Sequence, residues 1–333
     1  MRAQQNRRIN IAVVTGGDSS EYSVSLKTAA TVARTLDKNR FNPYVITIRN
    51  NEWYLGTPDD RGPEVNKNDF SITVKGDIIR FHCVFMTIHG TPGEDGKLPA
   101  YFDMLKIPYT CSSVLTSALT FNKFATKIFI SNLGINTPGG ILLRREEEPG
   151  FTDIALKIGF PCFVKPNNSG SSFGITKVKE ERELNSALQK AFMEDNEVLV
   201  EKCVDGMELS GGMLKTREKE LIFPPTELVS KTEFFDFAAK YEGASDEITP
   251  ARLPEKVLNE FSKMSSLIYD SLQCNGIVRI DYFYSNGTIY FLELNTVPGM
   301  TETSIVPQQI EAMGLKLSDV FTMAVEDAIK RAL

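Results

Sequence analysis

The sequence predicts an α/β protein of two or three domains that opens with a parallel sheet. Three observations carry this. The chain has 333 residues, 42% of them hydrophobic, enough for more than one core. Its start reads as strand, loop, helix, strand: an apolar run at 10–15 (NIAVVT), a glycine turn, helical spacing over 24–36, and a second strand at 44–49. That order favours parallel strands joined by a crossover helix. Later strand-like runs carry charged residues, most of all at 276–300, where a bare structural strand would have none.

Composition narrows the function. A formal net charge of -6 argues against a nucleic-acid binder that relies on bulk charge, so a phosphate site would need a few placed lysines. The 5 cysteines are scattered and form no C-x-x-C, which argues against a disulfide scaffold or a zinc site and for buried thiols in a reducing compartment. No run reaches transmembrane length. The basic start (Arg2, Arg7, Arg8) precedes an apolar run too short for a signal sequence. A cytoplasmic enzyme without membrane or nucleic-acid partners is expected.

Taken in order, Gly16-Gly17 ends the first strand in a ligand-facing loop, but no third glycine completes a dinucleotide fingerprint. A strand at 84–88 follows, with His82 expected inside it as a structural residue. His89 comes at its end, where α/β sheets present ligand residues, and opens a polar glycine-rich run to Gly96. A short strand at 107–110 leads to a domain boundary near 111–113. One helix is expected over 115–133; it carries Lys123 and Lys127, and helix lysines are ordinarily solvated. Lys165 ends an apolar strand before a Gly/Ser loop at 167–174. Such a loop can wrap phosphate with N–H groups and hydroxyls, although it is not a Walker A loop. The alternative is a flexible hairpin with a paired lysine. A strand at 198–203 brings Glu201 and Lys202 to a turn at 204–208. The segment 230–252, with Lys240-Tyr241 at its middle, has the length and mixed composition of a lid. An amphipathic helix at 254–272 and a mostly helical stretch at 310–333 flank the remaining feature.

That feature is a β-hairpin at 276–300 with Arg279, Asp281, Glu293 and Asn295 among its apolar residues. A carboxylate there is costly to desolvate unless a cation or donors meet it. Alternation puts Arg279 with Asp281 and Glu293 with Asn295. Two turns fit. A two-residue Asn286-Gly287 turn pairs Asp281 with Leu292 and separates the acids. A three-residue Ser285-Asn286-Gly287 loop with a G1 bulge pairs Arg279 with Glu293 and brings all four groups to one face. The three-residue loop is expected, because it gives Asp281, Glu293 and Asn295 a joint purpose as oxygen ligands of Mg²⁺. The competing reading is a buried Arg279–Glu293 ion pair. The Thr296-Val297-Pro298-Gly299-Met300 turn, which exposes N–H groups beside that face, favours the metal.

In sequence order these stretches resemble the ATP-grasp ligases, and within them the D-alanine–D-alanine ligase family. The motifs run nearly end to end: Gly16-Gly17-x-Ser-x-Glu21, His89-Gly-x-x-Gly-Glu-Asp-Gly96, Lys165-Pro-x-x-x-Gly-Ser-Ser172, Lys240-Tyr241, Arg279-x-Asp281, Glu293-x-Asn295-Thr-x-Pro-Gly-Met300 and Ser304-x-Val-Pro307. Each alone is weak; in this order they are specific. The resemblance implies an N-terminal α/β domain (1–112), then a two-domain α+β ATP-grasp unit (113–200 and 201–333) with ATP between its halves. It implies ATP phosphates on Lys123, Lys165, Ser172 and Lys240, adenine at Glu201, Lys202 and Val204, and ribose at Glu208. Asp281, Glu293 and Asn295 would hold Mg²⁺ or Mn²⁺. Glu21 would hold the first D-alanine's ammonium with His89 close by, and Ser304 the second substrate's carboxylate. Glu21, Ser171 and Tyr241 would close the lid, while Arg279 and the Gly299 N–H stabilise an oxyanion. Relatives often have an acidic residue where Ser169 stands, and Tyr241 resembles the dipeptide-forming members. The implied reaction joins two D-alanines through an acylphosphate for peptidoglycan precursors, in a homodimer. The rivals are an ATP-grasp ligase with other substrates and a non-catalytic nucleotide or amino-acid binding module.

Overall fold

The structure is a computed structural model that describes residues 8–146, 151–170, 173–230 and 245–332. The apolar run at the start forms β1 (Ile9–Gly16), buried along its length and paired in parallel with β2 (Phe41–Arg49) and β7 (Cys83–Met86). Helix α1 (Tyr22–Thr35) makes the crossover. The expected parallel sheet is therefore present, but it is only part of the layer. Beyond β2 the sheet continues as an antiparallel meander of β3 (Glu52–Thr57), β4 (Asp60–Asn66), β5 (Ser71–Val74) and β6 (Asp77–Ile79), in the order β6-β5-β4-β3-β2-β1-β7. These four strands are short and expose much of their length, so they lack the apolar runs that betray a strand. His82 lies just outside β7; its Nδ1 accepts the Asn10 N–H at 3.2 Å. The 107–110 stretch contributes a single parallel bridge, Tyr109 to Val84.

Helix α2 (Lys97–Leu105) follows the His89 loop. The single helix expected over 115–133 is two, α3 (Val114–Phe121) and α4 (Lys123–Ser131). Asn122 breaks it by adopting an extended conformation and capping α4, its Oδ1 accepting the Ala125 N–H at 2.9 Å. The break puts Lys123 in the first turn of α4.

A four-stranded antiparallel sheet comes next: β8 (Gly140–Arg144), β9 (Cys162–Pro166), β10 (Thr176–Val178) and β11 (Glu197–Lys202), ordered β10-β9-β11-β8. Helices α5 (Phe151–Lys157) and α6 (Glu181–Phe192) accompany it, and Leu184, Leu188 and Ala191 of α6 pack on Val164, Val198 and Val200. The last sheet runs β15 (Ser245–Ile248), β14 (Thr226–Ser230), β12 (Met207–Lys215), β16 (Ile277–Ser285), β17 (Thr288–Asn295), with β13 (Glu220–Ile222) on β12. Helix α7 (Glu255–Ser271) buries Phe261 and Ile268 against Tyr282 and Phe291 on one face. Helices α8 (Ile305–Ala312) and α9 (Leu317–Arg331) share a core with Ile11, Val13 and Phe85 of the first sheet. The N-terminal layer is thereby fixed against the last one. Among the described residues no helix is long and apolar enough to cross a membrane.

The hairpin is built differently from the expectation. Ser285 pairs with Thr288, so the turn is the two-residue one, with Asn286 and Gly287 at φ of 48° and 81°. This is the left-handed pair that an Asn-Gly type I′ turn requires. The acids nevertheless meet. Tyr282 pairs with Phe291 but Asp281 pairs with Glu293, leaving Leu292 as an extra residue in a β-bulge. Below the bulge Arg279 faces Asn295, not Glu293. The three-residue loop is wrong, and the convergence it was meant to explain is produced by Leu292.

Candidate active site

The face of the last sheet that carries Asp281 looks into an open cleft lined also by Glu21, His89, Glu208 and Ser304. Asp281 is its most heavily bonded carboxylate. Arg279 Nε and Nη2 donate to its two oxygens at 2.9 and 2.8 Å, and Ser210 Oγ donates to Oδ1 at 2.6 Å. Asn295 Nδ2 lies 3.4 Å from Oδ2. The ion pair of the competing reading therefore exists, but between Arg279 and Asp281. Glu293 has Lys123 Nζ at 3.8 Å instead.

The other wall comes from the N-terminal layer. Glu21 starts α1 yet caps nothing with its side chain. Its carboxylate packs against the glycine of the 167–174 loop: a Cβ on Gly170 would lie 2.1 Å from Glu21 Oε2. His89 is buried, with Nε2 3.0 Å from Thr28 Oγ1 and its backbone N–H donating to Ser25 Oγ at 3.0 Å. Burial lowers its pKa. This histidine borders the cleft and is anchored to α1.

Glu94, to which the sequence assigns no role, ties the 296–300 turn to the His89 loop. Its Oε2 accepts the Gly90 N–H at 2.8 Å and its Oε1 the Val297 N–H at 3.1 Å. Burial, with Glu21 as a second negative charge nearby, pushes its pKa up to about 8. The Val297 N–H is thus held by the His89–Glu94 loop. Two residues on is Gly299, where a Cβ would sit 2.9 Å from Ser304 Oγ. Gly299 and Ser304 both line the cleft.

The lysines are a correction. Lys123 and Lys127 are 8% and 5% exposed, not solvated. Lys123 Nζ donates to the Ser169 carbonyl at the root of the Gly/Ser loop. Lys127 pairs with Glu201, and Lys165 Nζ reaches the other Glu201 oxygen at 2.5 Å. Buried lysines persist only when paired. Burial alone would raise the Glu201 pKa, but the two lysines hold it below the usual range. Burial lowers Lys127 to about 8, with Glu201 opposing the shift. The signal that could have exposed Lys127 is its spacing: four residues after Lys123, it lies on the same helix face.

Lys165 and Glu201 thus meet each other rather than the cleft lined by Asp281. Lys202 is exposed with its N–H on the Gly139 carbonyl at 2.9 Å, and Val204 is half-buried in the turn beyond. Glu208 lines the Asp281 cleft. Lys123, Glu293, Asn295 and Gly170 share a smaller recess. Ser171, Ser172, Lys240 and Tyr241 lie outside the described residues. One side chain of the cleft wall was missed altogether, Glu247 on β15, and with it Gln308 on α8, which holds it.

These sheets, with Glu201 between two buried lysines and Asp281 opposite Glu293, make up the fold of the ATP-grasp ligases. The more specific relationship follows from comparison. Residues 10–112 match the family model described as D-ala D-ala ligase N-terminus, and residues 129–326 that described as D-ala D-ala ligase C-terminus. The chain belongs to the D-alanine–D-alanine ligase family. It is 46% identical to a D-alanine–D-alanine ligase of Phocaeicola vulgatus over 318 residues, 95% of this chain and 98% of that protein. Its fold is similar to the VanG D-Ala:D-Ser ligase of Enterococcus faecalis (TM-score 0.85, 32% identity, 98% and 100% of the two chains covered). It is also similar to D-alanyl-alanine synthetase A of Vibrio cholerae (TM-score 0.87, 25% identity, 97% and 99% covered).

Proposed function

We propose that the protein joins two D-alanines into D-alanyl-D-alanine at the expense of ATP, supplying a peptidoglycan precursor. Family membership supports the reaction. The observation that carries the residue roles is the facing of Asp281 and Glu293 across β16 and β17, opposite Glu21 and beside Gly299.

In this reading Glu21 holds the ammonium of the first D-alanine, directing its carboxylate toward Arg279. An oxygen of that carboxylate attacks the γ-phosphorus, ADP leaves, and an acylphosphate forms. Such a transfer needs positioning and charge neutralisation more than covalent help. Lys123, Lys165 and Lys240 are assigned to phosphate together with Ser172. Glu201, Lys202 and Val204 are assigned to adenine, and Glu208 to ribose. Asp281, Glu293 and Asn295 fit Mg²⁺: Asp281 and Glu293 are hard oxygen donors on directly opposed strand positions, and Asn295, two residues beyond Glu293, shares their face. Among the described residues no three His, Cys, Asp or Glu side chains gather closely enough to hold a metal alone, so the Asn295 amide and the ATP phosphates would complete the set. When bound, the ion would neutralise phosphate charge.

The second D-alanine, its carboxylate on Ser304, attacks the acyl carbon through its amine. Its ammonium first gives a proton to solvent; the C–N bond forms, the C–O bond to phosphate breaks, and phosphate leaves with the electron pair and takes up the second amine proton. Arg279 and the Gly299 N–H stabilise the intervening oxyanion, a kind of donor whose loss costs about 2.7–4 kcal/mol of barrier. Tyr241 and Ser171 are assigned to closing the 230–252 lid with Glu21, which keeps water from the acylphosphate. A cytoplasmic homodimer is the form proposed.

The test is ADP release with D-alanine as sole amino acid, with and without Mg²⁺, alongside chromatography of the product. Equal ADP and dipeptide, dependent on Mg²⁺, supports the reading. ATP binding without ADP release would identify a binding module, and ADP release only with other amino acids a different ligase.

A further inference from the structure

Glu247 occupies β15 at the edge of the sheet, paired with Leu228 of β14, and both side chains line the cleft together with Ser304 and Arg279. Among the described residues its hydrogen-bond partner is Gln308, whose Nε2 donates to Glu247 Oε2 at 2.6 Å. Gln308 lies four residues beyond Ser304, one turn along α8, and the same Nε2 also reaches the Thr303 carbonyl at 3.1 Å. A carboxylate is therefore pinned to the helix whose first turn begins at Ser304. Burial raises its pKa above the usual carboxylate range, and the Gln308 hydrogen bond and the Arg279 charge pull it back.

An amino acid carries a negative and a positive group on one carbon. The N-terminal end of α8, with Ser304, suits the negative group. Glu247 places a negative charge one helical turn away, which suits the positive one. Of the other acids of this wall, Glu94 is committed to two backbone N–H groups, Asp281 to Arg279 and Ser210, Glu21 to the pocket between Gly90 and Gly170, and Glu208 on β12 is the one assigned to ribose. We propose that Glu247, held by Gln308, positions the second amino acid through its ammonium and selects a charged amine over an uncharged hydroxy acid of the same shape. This rests on Ser304 being the carboxylate end of that subsite. The competing explanation is that Glu247 and Gln308 merely staple β15 to α8.

The full chain is assayed with the two D-alanine KM values fitted separately at saturating ATP, and with D-lactate as alternative acceptor. Glu247→Gln should raise the KM of the acceptor D-alanine about tenfold or more, as expected for losing a partly buried charge contact. The first-site and ATP KM values should stay within about twofold. The preference for D-alanine over D-lactate should fall by a similar factor. Gln308→Met, which frees the carboxylate but keeps it, should move the acceptor KM in the same direction by a smaller factor, and decides the matter if Glu247→Gln folds poorly. A lowered melting temperature with unchanged acceptor KM and acceptor preference would establish the staple and overturn the proposal. Ser304→Ala separates the two layers. If it raises the acceptor KM and the Glu247 and Gln308 variants do not, only this proposal fails; if it too has no effect, the subsite assignment fails with it.

Discussion

Asp281 and Glu293 stand directly opposite each other on β16 and β17, although the two-residue turn that joins those strands would by itself set Asp281 against Leu292. The bulge at Leu292 makes the difference. A one-residue shift moves every later side chain to the other face. Glu293→Gln, which keeps the register and removes only charge, should lower kcat by on the order of 10²-fold or more. Its melting temperature should stay within about 2 °C of the parent, since Glu293 is not buried in the core. Retained turnover in Glu293→Gln would remove its assigned role.

Gly170 is the point where the 167–174 loop comes closest to the Glu21 carboxylate. Its φ is unremarkable; the constraint is space, because the missing Cβ would fall 2.1 Å from Glu21 Oε2. Gly170→Ala must push the loop or the carboxylate aside. Displacements near 1 Å can cost on the order of 10²-fold in rate. The expected outcome is a higher KM for the first D-alanine with the second KM little changed, read from initial rates. Wild-type kinetics would show that the loop leaves Glu21 during turnover.

Glu201 links two buried lysines, so neutralising it leaves two cations with no counter-charge. Breaking such a group typically costs about 3–5 kcal/mol. Urea denaturation of Glu201→Gln should show a loss of that order. A loss below about 1 kcal/mol would mean that water reaches the lysines.

Glu94 predicts a pH dependence of stability. Its pKa is raised from 4.5 to about 8 in the folded chain, so the folded state holds this proton more tightly than the unfolded one. Stability from this group is full below pH 4.5 and is lost as pH climbs to about 8, with a slope of at most about 1.4 kcal/mol per pH unit. Glu94→Gln cannot titrate. Melting temperatures of the two proteins between pH 5.5 and 8.5 should show the wild type losing ground to the variant as pH rises. Parallel curves would indicate that Glu94 is ionised throughout, held so by the Gly90 and Val297 N–H groups.

Residue pattern alone revealed β1, α1 and β2, because their apolar runs are long and strictly periodic. It singled out the hairpin too, since Arg279, Asp281 and Glu293 are out of place in an apolar strand. It did not reveal the bulge, which costs one residue and leaves no compositional mark when that residue is leucine. The β3–β6 meander escaped because exposed short strands resemble loops. Lys127 and Glu201 escaped as a pair because nothing in either local stretch shows that α4 and β11 face each other. Glu247 and Gln308 are likewise ordinary surface types until β15 and α8 are brought together. What local sequence cannot carry in each case is the contact across elements.

The most direct test of the whole account follows an oxygen atom. D-Alanine labelled with ¹⁸O in both carboxylate oxygens is turned over with unlabelled ATP, and the released phosphate is analysed by mass spectrometry. If the first carboxylate attacks the γ-phosphorus in the cleft formed by Arg279, Asp281 and Glu293, each phosphate carries one ¹⁸O and each dipeptide has lost one. Unlabelled phosphate released alongside dipeptide would mean that the carboxylate is never phosphorylated, and the proposed reaction course would be wrong.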